Sequence, residues 1–235
     1  MKKIKSVHIK SDDKFDSLTE YDRNDNVIYS LSALAEYWYE YDENNNEIFV
    51  KTNTGYRRET QYNSSGQRIY IGDSRGEKIF YTYDKDGNLI YTEVNHGRKE
   101  WRGYNDKGQL ISLQDTQGRH EQYRYDEQGN QIQCYNPNGI IWEKEYDELG
   151  NLIRVQHKNS LHDFVREYNS QNKVIRTTYS HGLIVLYEYD NQGRLICEKS
   201  DKYTKFLKYN ENGDIGIIEY SNGDKDIYTY EYYED

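Results

Sequence analysis

The residues that could carry out acid–base or metal chemistry are scattered along the chain. The six histidines are His8, His96, His120, His157, His162 and His181. Three of them, His96, His120 and His181, lie near glycines and are typical of polar turn residues. His157 and His162 are five residues apart, but no cysteine or further histidine follows at zinc-ligand spacing, so a surface role is favoured over zinc. The sequence predicts no metal site and no cofactor.

The sulfur, carboxylate and glycine patterns do not indicate an enzyme either. Cys134 and Cys197 belong to no Cys-x-x-Cys or Cys/His cluster. Core or edge thiols are therefore favoured over nucleophiles, and two free thiols fit a reducing compartment. With 41 acidic residues, paired carboxylates are unavoidable and carry little information. The glycines are spaced to close hairpins rather than to open a phosphate-binding helix.

Composition indicates an ordered but polar protein. Of the 235 residues only 34% are hydrophobic, yet 15% are aromatic and 27 are tyrosine, which a disordered chain usually lacks. The net charge of −10 favours a basic partner and disfavours nucleic acid and anionic membranes. No long apolar run follows the charged segment Met1–Lys5, and no other segment is long and apolar enough to be a membrane span. We expect a cytoplasmic protein.

One tyrosine recurs at intervals of 20 to 22 residues. These anchor tyrosines are Tyr21, Tyr41, Tyr62, Tyr83, Tyr104, Tyr125, Tyr146, Tyr168, Tyr189 and Tyr209. Each is followed by Asp or Asn, and four positions after the anchor stands Gly or, in three units, Asp25, Asn45 or Asn172. Asx residues start turns and these residue types tolerate positive φ. The pattern predicts a hairpin with a type I turn and a glycine bulge.

Period-two alternation on either side of this turn predicts strands. An isoleucine stands seven residues after the anchor in nine of ten units, which predicts a buried strand position. Aromatic residues such as Tyr39, Tyr81 and Tyr123 stand two before it, and a second glycine turn lies half a unit away. We therefore predict an all-β fold: tandem repeats of about 21 residues form a long antiparallel meander sheet that coils into a spiral or open shell.

The domain boundaries follow from the repeat. Residues 1–20 form an N-terminal cap of half a repeat, residues 21–226 form ten tandem repeats in a single domain, and residues 227–235 form a C-terminal capping strand. Two second turns lack glycine. Leu31–Ala35 is predicted to form a helical turn. In the turn at residues 158–161, ordinary loop variation is favoured over a contact site.

The segments Tyr83–Ile90 and Tyr146–Ile153 read YDKDGNLI and YDELGNLI. They resemble the YD repeat of Rhs proteins, teneurins and insecticidal toxin-complex shells, and the resemblance extends over nearly the whole chain. It implies a spiralling antiparallel sheet that, in large members, wraps a toxic C-terminal domain. The chain is much shorter than those shells and has no Pro-rich segment of the kind that ends them, so the delivery function is not expected here. Small stand-alone members resemble immunity proteins encoded beside polymorphic toxins.

With catalysis disfavoured, surface residues are the candidate site. Trp38 and Trp101 stand three residues before their anchors, and Trp142 stands four before, so the first two are predicted to face away from the isoleucine and tyrosine layer. An interface role for them and packing on both faces of a curled sheet are equally favoured. Glu145, Glu167 and Glu188 each precede an anchor and should stack as an acidic row. A solvated face is favoured over a docking site for a basic ligand.

Three functions remain open. The first is a cytoplasmic immunity protein that binds and neutralises a basic polymorphic toxin domain. The second is an orphan structural fragment of an Rhs shell, and the third is a carbohydrate- or surface-binding repeat module. An uncovered strand edge would invite pairing, so a homodimer through edge strands is also considered.

Overall fold

The computed structural model describes residues 4–11, 16–158, 160 and 163–233. Twenty-two strands lie in these segments, and no helix there is long and apolar enough to cross a membrane. The strands are β1 Ile4–Ser11, β2 Asp16–Tyr21, β3 Val27–Leu31, β4 Glu36–Tyr41, β5 Glu47–Thr52, β6 Arg57–Tyr62, β7 Arg68–Asp73, β8 Lys78–Tyr83, β9 Leu89–Val94, β10 Lys99–Tyr104, β11 Leu110–Asp115, β12 His120–Tyr125, β13 Gln131–Asn136, β14 Gly139–Tyr146, β15 Leu152–His157, β16 Phe164–Tyr168, β17 Val174–Tyr179, β18 Ile184–Tyr189, β19 Leu195–Lys199, β20 Thr204–Tyr209, β21 Ile215–Tyr220 and β22 Lys225–Tyr232.

The chain divides into two compact units. Unit one comprises Met1–Lys99, Lys208–Glu219 and Gly223–Asp235, and unit two comprises Glu100–Leu207 and Tyr220–Asn222. Within unit one, β1 to β9 pair in chain order, each with the next. Within unit two, β10 to β20 do the same. All these pairs are antiparallel, so the predicted all-β meander is confirmed.

The first and last strands hydrogen-bond to each other, so the prediction of an open or spiral sheet with unpaired ends is wrong. β1 pairs with β22 over the length of both strands. The Lys5 ammonium lies 3.4 Å from the Glu231 carboxylate, and the Tyr233 hydroxyl donates to the Tyr21 carbonyl at 2.6 Å. Pairing satisfies backbone groups that an exposed edge would leave in water. These two strands consequently offer no free edge to a second copy.

The first turn of each repeat has the predicted chemistry. In the second repeat, the Asp42 carboxylate accepts hydrogen bonds from the backbone N–H groups of Asn44 and Asn46, both at 2.9 Å. Two hydrogen bonds from Asn46 lower the pKa of Asp42: the one from its side chain has the larger effect and the one from its backbone N–H the smaller. The three non-glycine residues at the fourth position have positive φ: 65° at Asp25, 62° at Asn45 and 57° at Asn172. The predicted left-handed positions are therefore confirmed.

The isoleucines seven residues after the anchor are not the core, so that prediction is wrong. Ile28, Ile111 and Ile175 are more than a third exposed. The buried position comes two residues later, as at Val50 and Val155. The isoleucine is at the start of its strand, next to the turn, whereas the later position lies in the middle of the strand and is covered by neighbours on both sides.

The two glycine-free turns have different outcomes. Leu31–Ala35 is not a helical turn, because β3 continues to Leu31 and the next residues form a tight hairpin turn. The Ser32 N–H donates to the Ala35 carbonyl at 2.9 Å, and the Ser32 hydroxyl oxygen accepts from the Ala35 N–H at 3.2 Å. The Ser32 side chain thus stabilises this turn, whereas most of the other second turns contain a glycine with positive φ. In the other turn, Asn159 and Leu161, together with His162 beyond it, lie outside the described residues.

Candidate functional site

Side-chain exposure alternates along strands such as β6, β12 and β18 and distinguishes the two faces of the sheet. On β18 the side chains of Ile184, Leu186 and Glu188 are exposed, whereas Val185 is buried and Tyr187 is half-buried. We call the side carrying Leu186 and its equivalents the open face, and the side carrying Val185 and its equivalents the buried face. Successive side chains in a strand point to opposite faces, so the assignment follows from register throughout a unit.

The anchor tyrosines join consecutive repeats. The hydroxyl of Tyr41 donates to the carbonyl of Val27 at 2.8 Å, and the hydroxyl of Tyr146 donates to that of Gln131 at 3.1 Å. The same bond, to the residue six after the preceding anchor, is made by Tyr62, Tyr83, Tyr125, Tyr168, Tyr189 and Tyr230. Burial raises the pKa of Tyr41 and Tyr146, so each hydroxyl stays protonated and remains a donor. At these eight tyrosines a side-chain bond thus joins one repeat to the preceding one, in addition to the strand ladder.

On the open face of unit two, three transverse triplets begin with a glutamate, and each is formed by directly opposed residues on three neighbouring strands. They are Glu145–Arg154–Val165, Glu167–Arg176–Leu186 and Glu188–Cys197–Phe206. The first two contain ion pairs, with Arg154 Nη1 3.2 Å from Glu145 Oε1 and Arg176 Nη1 3.3 Å from Glu167 Oε1. The apolar members are about half exposed: 49% at Val165, 44% at Leu186 and 46% at Phe206. We call these nine residues the triplet surface.

In unit one, five of the nine corresponding positions hold aromatic side chains. The corresponding triplets are Glu20–Tyr29–Trp38, Glu40–Phe49–Glu59 and Gln61–Tyr70–Phe80. The rings of Tyr29 and Trp38 have centroids 5.6 Å apart, and those of Tyr70 and Phe80 are 5.3 Å apart. Tilted ring pairs at this distance stabilise a sheet beyond their buried area. Two triplets of unit one therefore pair aromatic rings where those of unit two combine charged with apolar side chains, although Phe80 is as exposed as Phe206, at 46%.

The structure separates the three predicted tryptophans rather than assembling them. Trp38 lies in unit one, half-buried against Tyr29 on the open face. Trp101 lies in unit two and is 44% exposed. Trp142 lies on the buried face, directly opposite buried Cys134, with Lys144 Nζ 4.3 Å from its ring centroid. Trp142 stands four residues before its anchor rather than three, and this difference places it on the other face of the sheet from Trp38. The three rings therefore do not form one surface.

The three predicted glutamates do share one face, but they do not form a purely acidic row. Glu145 and Glu167 stand opposite Arg154 and Arg176, and Glu188 stands opposite Cys197. Sequence reasoning missed the arginines and the apolar members of the triplets. A signal was present: Val165, Leu186 and Phe206 each stand three residues before an anchor, the same position as Trp38 and Trp101.

A second group of charges lies on the buried face of unit two. The Arg119 guanidinium donates to Glu121 at 2.8 Å and lies 3.9 Å from Glu100, which is also paired with Arg102. The Tyr123 hydroxyl donates to the same Glu121 at 2.6 Å. The hydrogen bond from Arg119 is the main reason why the pKa of Glu121 is lowered. Because each charge has a partner at short range, this group is suited to holding strands together rather than to proton transfer.

The cysteines and histidines provide no reactive centre in the described part of the chain. Both cysteines are free and buried, Cys134 at 1% exposure and Cys197 at 5%, which confirms the prediction of unpaired core or edge thiols. Burial raises the pKa of the Cys134 thiol to about 11, so the nucleophilic thiolate is rare at neutral pH. His157 Nδ1 lies 3.0 Å from Asp163. Within the described segments, no three His, Cys, Asp or Glu side chains are grouped to hold a metal ion.

Comparison with known proteins supports the repeat and the fold. Residues 104–133 match the model of the RHS Repeat family. The fold is similar to that in the crystal structure of TcdB2-TccC3-Cdc42, with a TM-score of 0.50 and 15% identity, covering 87% of this chain and 16% of that chain. For TcdB2-TccC3 without its hypervariable C-terminal region, the TM-score is 0.49 and the identity 15%, with 87% of this chain and 16% of that chain covered. For the Tc holotoxin pore of Photorhabdus luminescens, the TM-score is 0.42 and the identity 13%, with 88% of this chain and 14% of that chain covered.

These similarities support the YD-repeat resemblance and an antiparallel repeat-sheet protein. At such low identity the likeness concerns the fold, and this chain covers 16% of the length of the chain in each of the two TcdB2-TccC3 structures. No curated protein shows significant sequence similarity to it. The resemblance to immunity proteins gains no support from these matches and stays a prediction.

Proposed function

We propose that this chain is a structural, non-enzymatic YD-repeat sheet that acts as a wall segment of an Rhs-type shell. The observation that carries the proposal is the repeated bond from an anchor tyrosine to the preceding repeat, seen at seven of the ten anchors and at Tyr230, which stands 21 residues after the last of them. Such bonds favour a continuous sheet in which each repeat is stabilised by its contacts with the neighbouring repeats. A structural wall requires this kind of repeat-to-repeat stability, whereas an enzyme requires a cleft in which reactive groups converge.

Fold similarity supports the same proposal. The TcdB2-TccC3-Cdc42 structure shares the fold over 87% of this chain, and the chain corresponds to 16% of that larger protein. Because β1 and β22 pair with each other, the chain would join such a wall through a face or through its turns rather than through these two strands. The open face varies in composition while the turn residues keep their pattern, as expected when the scaffold is fixed and its surfaces face different neighbours.

Affinity purification from the native cell tests the shell role. The tagged chain is isolated at native abundance, and its partners are identified and quantified by mass spectrometry after size-exclusion chromatography. A shell segment is expected to co-elute with a larger YD-repeat polypeptide in a fixed ratio. Elution of the chain alone, at the size of its 28.2 kDa monomer, would contradict the proposal.

A second candidate is the cytoplasmic immunity role, in which the chain binds and neutralises a basic toxin domain. The observation that favours it is the triplet surface, which exposes apolar side chains beside the glutamates at 145, 167 and 188. Exposed apolar groups rimmed by charge are typical of protein-binding surfaces. In the same purification this role predicts one toxin domain in equal amounts. Co-expression should then protect cells from that domain, and Leu186→Asp should remove the protection.

A further inference from the structure

The apolar members of the triplet surface form a row with a defined spacing. Leu186 stands opposite Arg176, whereas Val165 stands opposite Thr178, two residues further along the same strand. Neighbouring members of the row are therefore two strands and two residues apart. With about 4.8 Å between strands and about 3.3 Å per residue, this separation is about 12 Å. Phe206 continues the row from β20, opposite Cys197.

A helix matches this spacing better than an extended strand does. Seven to eight helical residues rise about 10.5 to 12 Å, and residues at that spacing lie on one face of a helix. In a strand, the side chains on one face recur about every 7 Å, so the nearest repeats fall near 7 and 14 Å. A helix lying along the row would place one apolar side chain on each of Val165, Leu186 and Phe206.

The charges next to the row define one flank of that helix. The glutamates lie two strands away from the apolar members of their triplets, about 10 Å, within reach of a lysine or arginine side chain from the side of a helix. Glu145 and Glu167 each use one carboxylate oxygen on an arginine, which leaves the second for a partner, and Glu188 stands opposite a thiol. On the glutamate side the three carboxylates outnumber the two arginines of the triplets, whereas on the other side of the row Lys199 stands opposite Leu186. Cations are therefore favoured on the glutamate flank.

A second copy of the chain fits this surface less well. Twofold face-to-face packing brings the same patch of both copies together. A twofold axis through the centre of the triplet surface passes Arg176, so this arginine faces its own equivalent whether the axis runs along the strands or across them. Opposed like charges at an interface are costly.

We propose that the triplet surface binds an amphipathic α-helical segment of another protein. That segment has apolar side chains seven to eight residues apart and lysine or arginine on one flank. The apolar side chains contact Val165, Leu186 and Phe206, and the cationic flank reaches the glutamate row. The inference does not depend on whether the chain belongs to a shell, because it concerns only this surface.

Two synthetic helical peptides test it with the full-length chain. Both carry leucine at every seventh position and glutamine on one flank, and the other flank carries lysine in the first peptide and glutamate in the second. Binding is measured by fluorescence anisotropy at about 50 and 500 mM salt. The lysine peptide is expected to bind at least tenfold more tightly than the glutamate peptide, with the difference reduced at high salt.

Variants locate the binding. Leu186→Asp should weaken lysine-peptide binding at least tenfold, whereas Leu149→Asp, at a first-turn residue that is 73% exposed, should leave it unchanged. Glu188→Gln keeps the size of the side chain and should weaken binding several-fold. This variant tests the surface independently if Leu186→Asp fails to fold. Equal binding of both peptides, or unchanged binding by both variants, overturns the proposal. Self-association in sedimentation runs that Leu186→Asp abolishes would assign the surface to a second copy and overturn it as well.

Discussion

The open faces of the two units use one register for different purposes. In unit one the triplets bring rings together, as in the Tyr29–Trp38 and Tyr70–Phe80 pairs. In unit two the same positions hold Glu–Arg pairs and apolar side chains, such as Leu186, that are close to half exposed. The backbone pairing is the same kind of antiparallel ladder in both. The repeat therefore fixes where a side chain stands but not what it contributes.

The two kinds of triplet differ in energy. A tilted aromatic pair is worth about 0.5 to 1.5 kcal/mol beyond its buried area. An exposed ion pair contributes about 0 to 1 kcal/mol and is weakened by salt. The aromatic triplets of unit one are thus expected to stabilise the fold, whereas the charged and apolar triplets of unit two contribute little to it and remain available for a partner.

The strongest test compares alanine substitutions at one repeat position in both units. Trp38→Ala removes a half-buried ring that contacts Tyr29 and lies 5.8 Å from Lys51 Nζ, and should lower the free energy of unfolding by about 2 to 3 kcal/mol. Leu186→Ala should lower it by less than about 1 kcal/mol. Urea denaturation of both variants measures the difference. Equal losses would show that the two open faces do not differ in this way.

A glycine in each unit gives a second, smaller contrast. The Tyr70 ring lies across Gly72, so a Cβ atom there would overlap the tyrosine hydroxyl, whereas a Cβ on Gly103 would meet Ser112 Oγ at 2.5 Å. The ring must move away from Phe80 to make room, but a serine hydroxyl can rotate. Gly72→Ala should therefore cost about 1 to 2 kcal/mol and Gly103→Ala less than about 0.5 kcal/mol.

Thermal and urea unfolding of both glycine variants provide the measurement. The double variant Gly72→Ala with Tyr70→Ala serves as the control, because without the ring the added methyl group has room. If Gly72→Ala costs as little as Gly103→Ala, the Tyr70 ring is not held in place by its triplet.

Local chemistry explains which parts of the fold the sequence predicted. The Asx and glycine turns depend on residues within five positions of each other, and the predicted positive φ at Asp25, Asn45 and Asn172 is present. Burial depth depends on a longer range. The recurrent isoleucine indicated a strand correctly but not its depth, because β-branching favours any half-buried strand position and the strand's middle is set by pairing with both neighbours.

Contacts between distant residues were harder to predict. The pairing of β1 with β22 joins the two ends of the chain, and no local pattern encodes it. The acidic row was predicted from its period, but the arginines opposite Glu145 and Glu167 follow from a register that shifts by one residue beside each anchor. The sequence therefore indicated that the three glutamates occupy equivalent positions, but only the register showed which side chains meet them.

The charges that stabilise unit two are expected on its buried face rather than on the triplet surface. The pKa of Glu121 is lowered mainly by its hydrogen bond from Arg119. A lowered folded-state pKa means that this stabilisation is present above the ordinary value of 4.5 and is lost as the pH falls through the folded value. Glu121→Gln should destabilise the protein at neutral pH and reduce the loss of stability between about pH 5 and 3.

Acid titration followed by circular dichroism checks this prediction. Glu148→Gln, at an exposed turn position of the same unit, is the matched control and should leave the acid transition unchanged. An identical acid transition for the wild type and Glu121→Gln would mean that the Arg119–Glu121 pair does not contribute to stability.

The smallest effect is expected for the ion pairs of the triplet surface, and it defines the lower limit of the comparison. Glu167 and Arg176 are about half exposed and 3.3 Å apart, so a double-mutant cycle of Glu167→Gln and Arg176→Met should give a coupling free energy below about 0.5 kcal/mol, falling further at high salt. Urea unfolding at about 50 and 500 mM salt measures it. A coupling above about 1 kcal/mol would place this pair among the stabilising contacts of the fold, and the distinction between a packed open face in unit one and an available one in unit two would no longer hold.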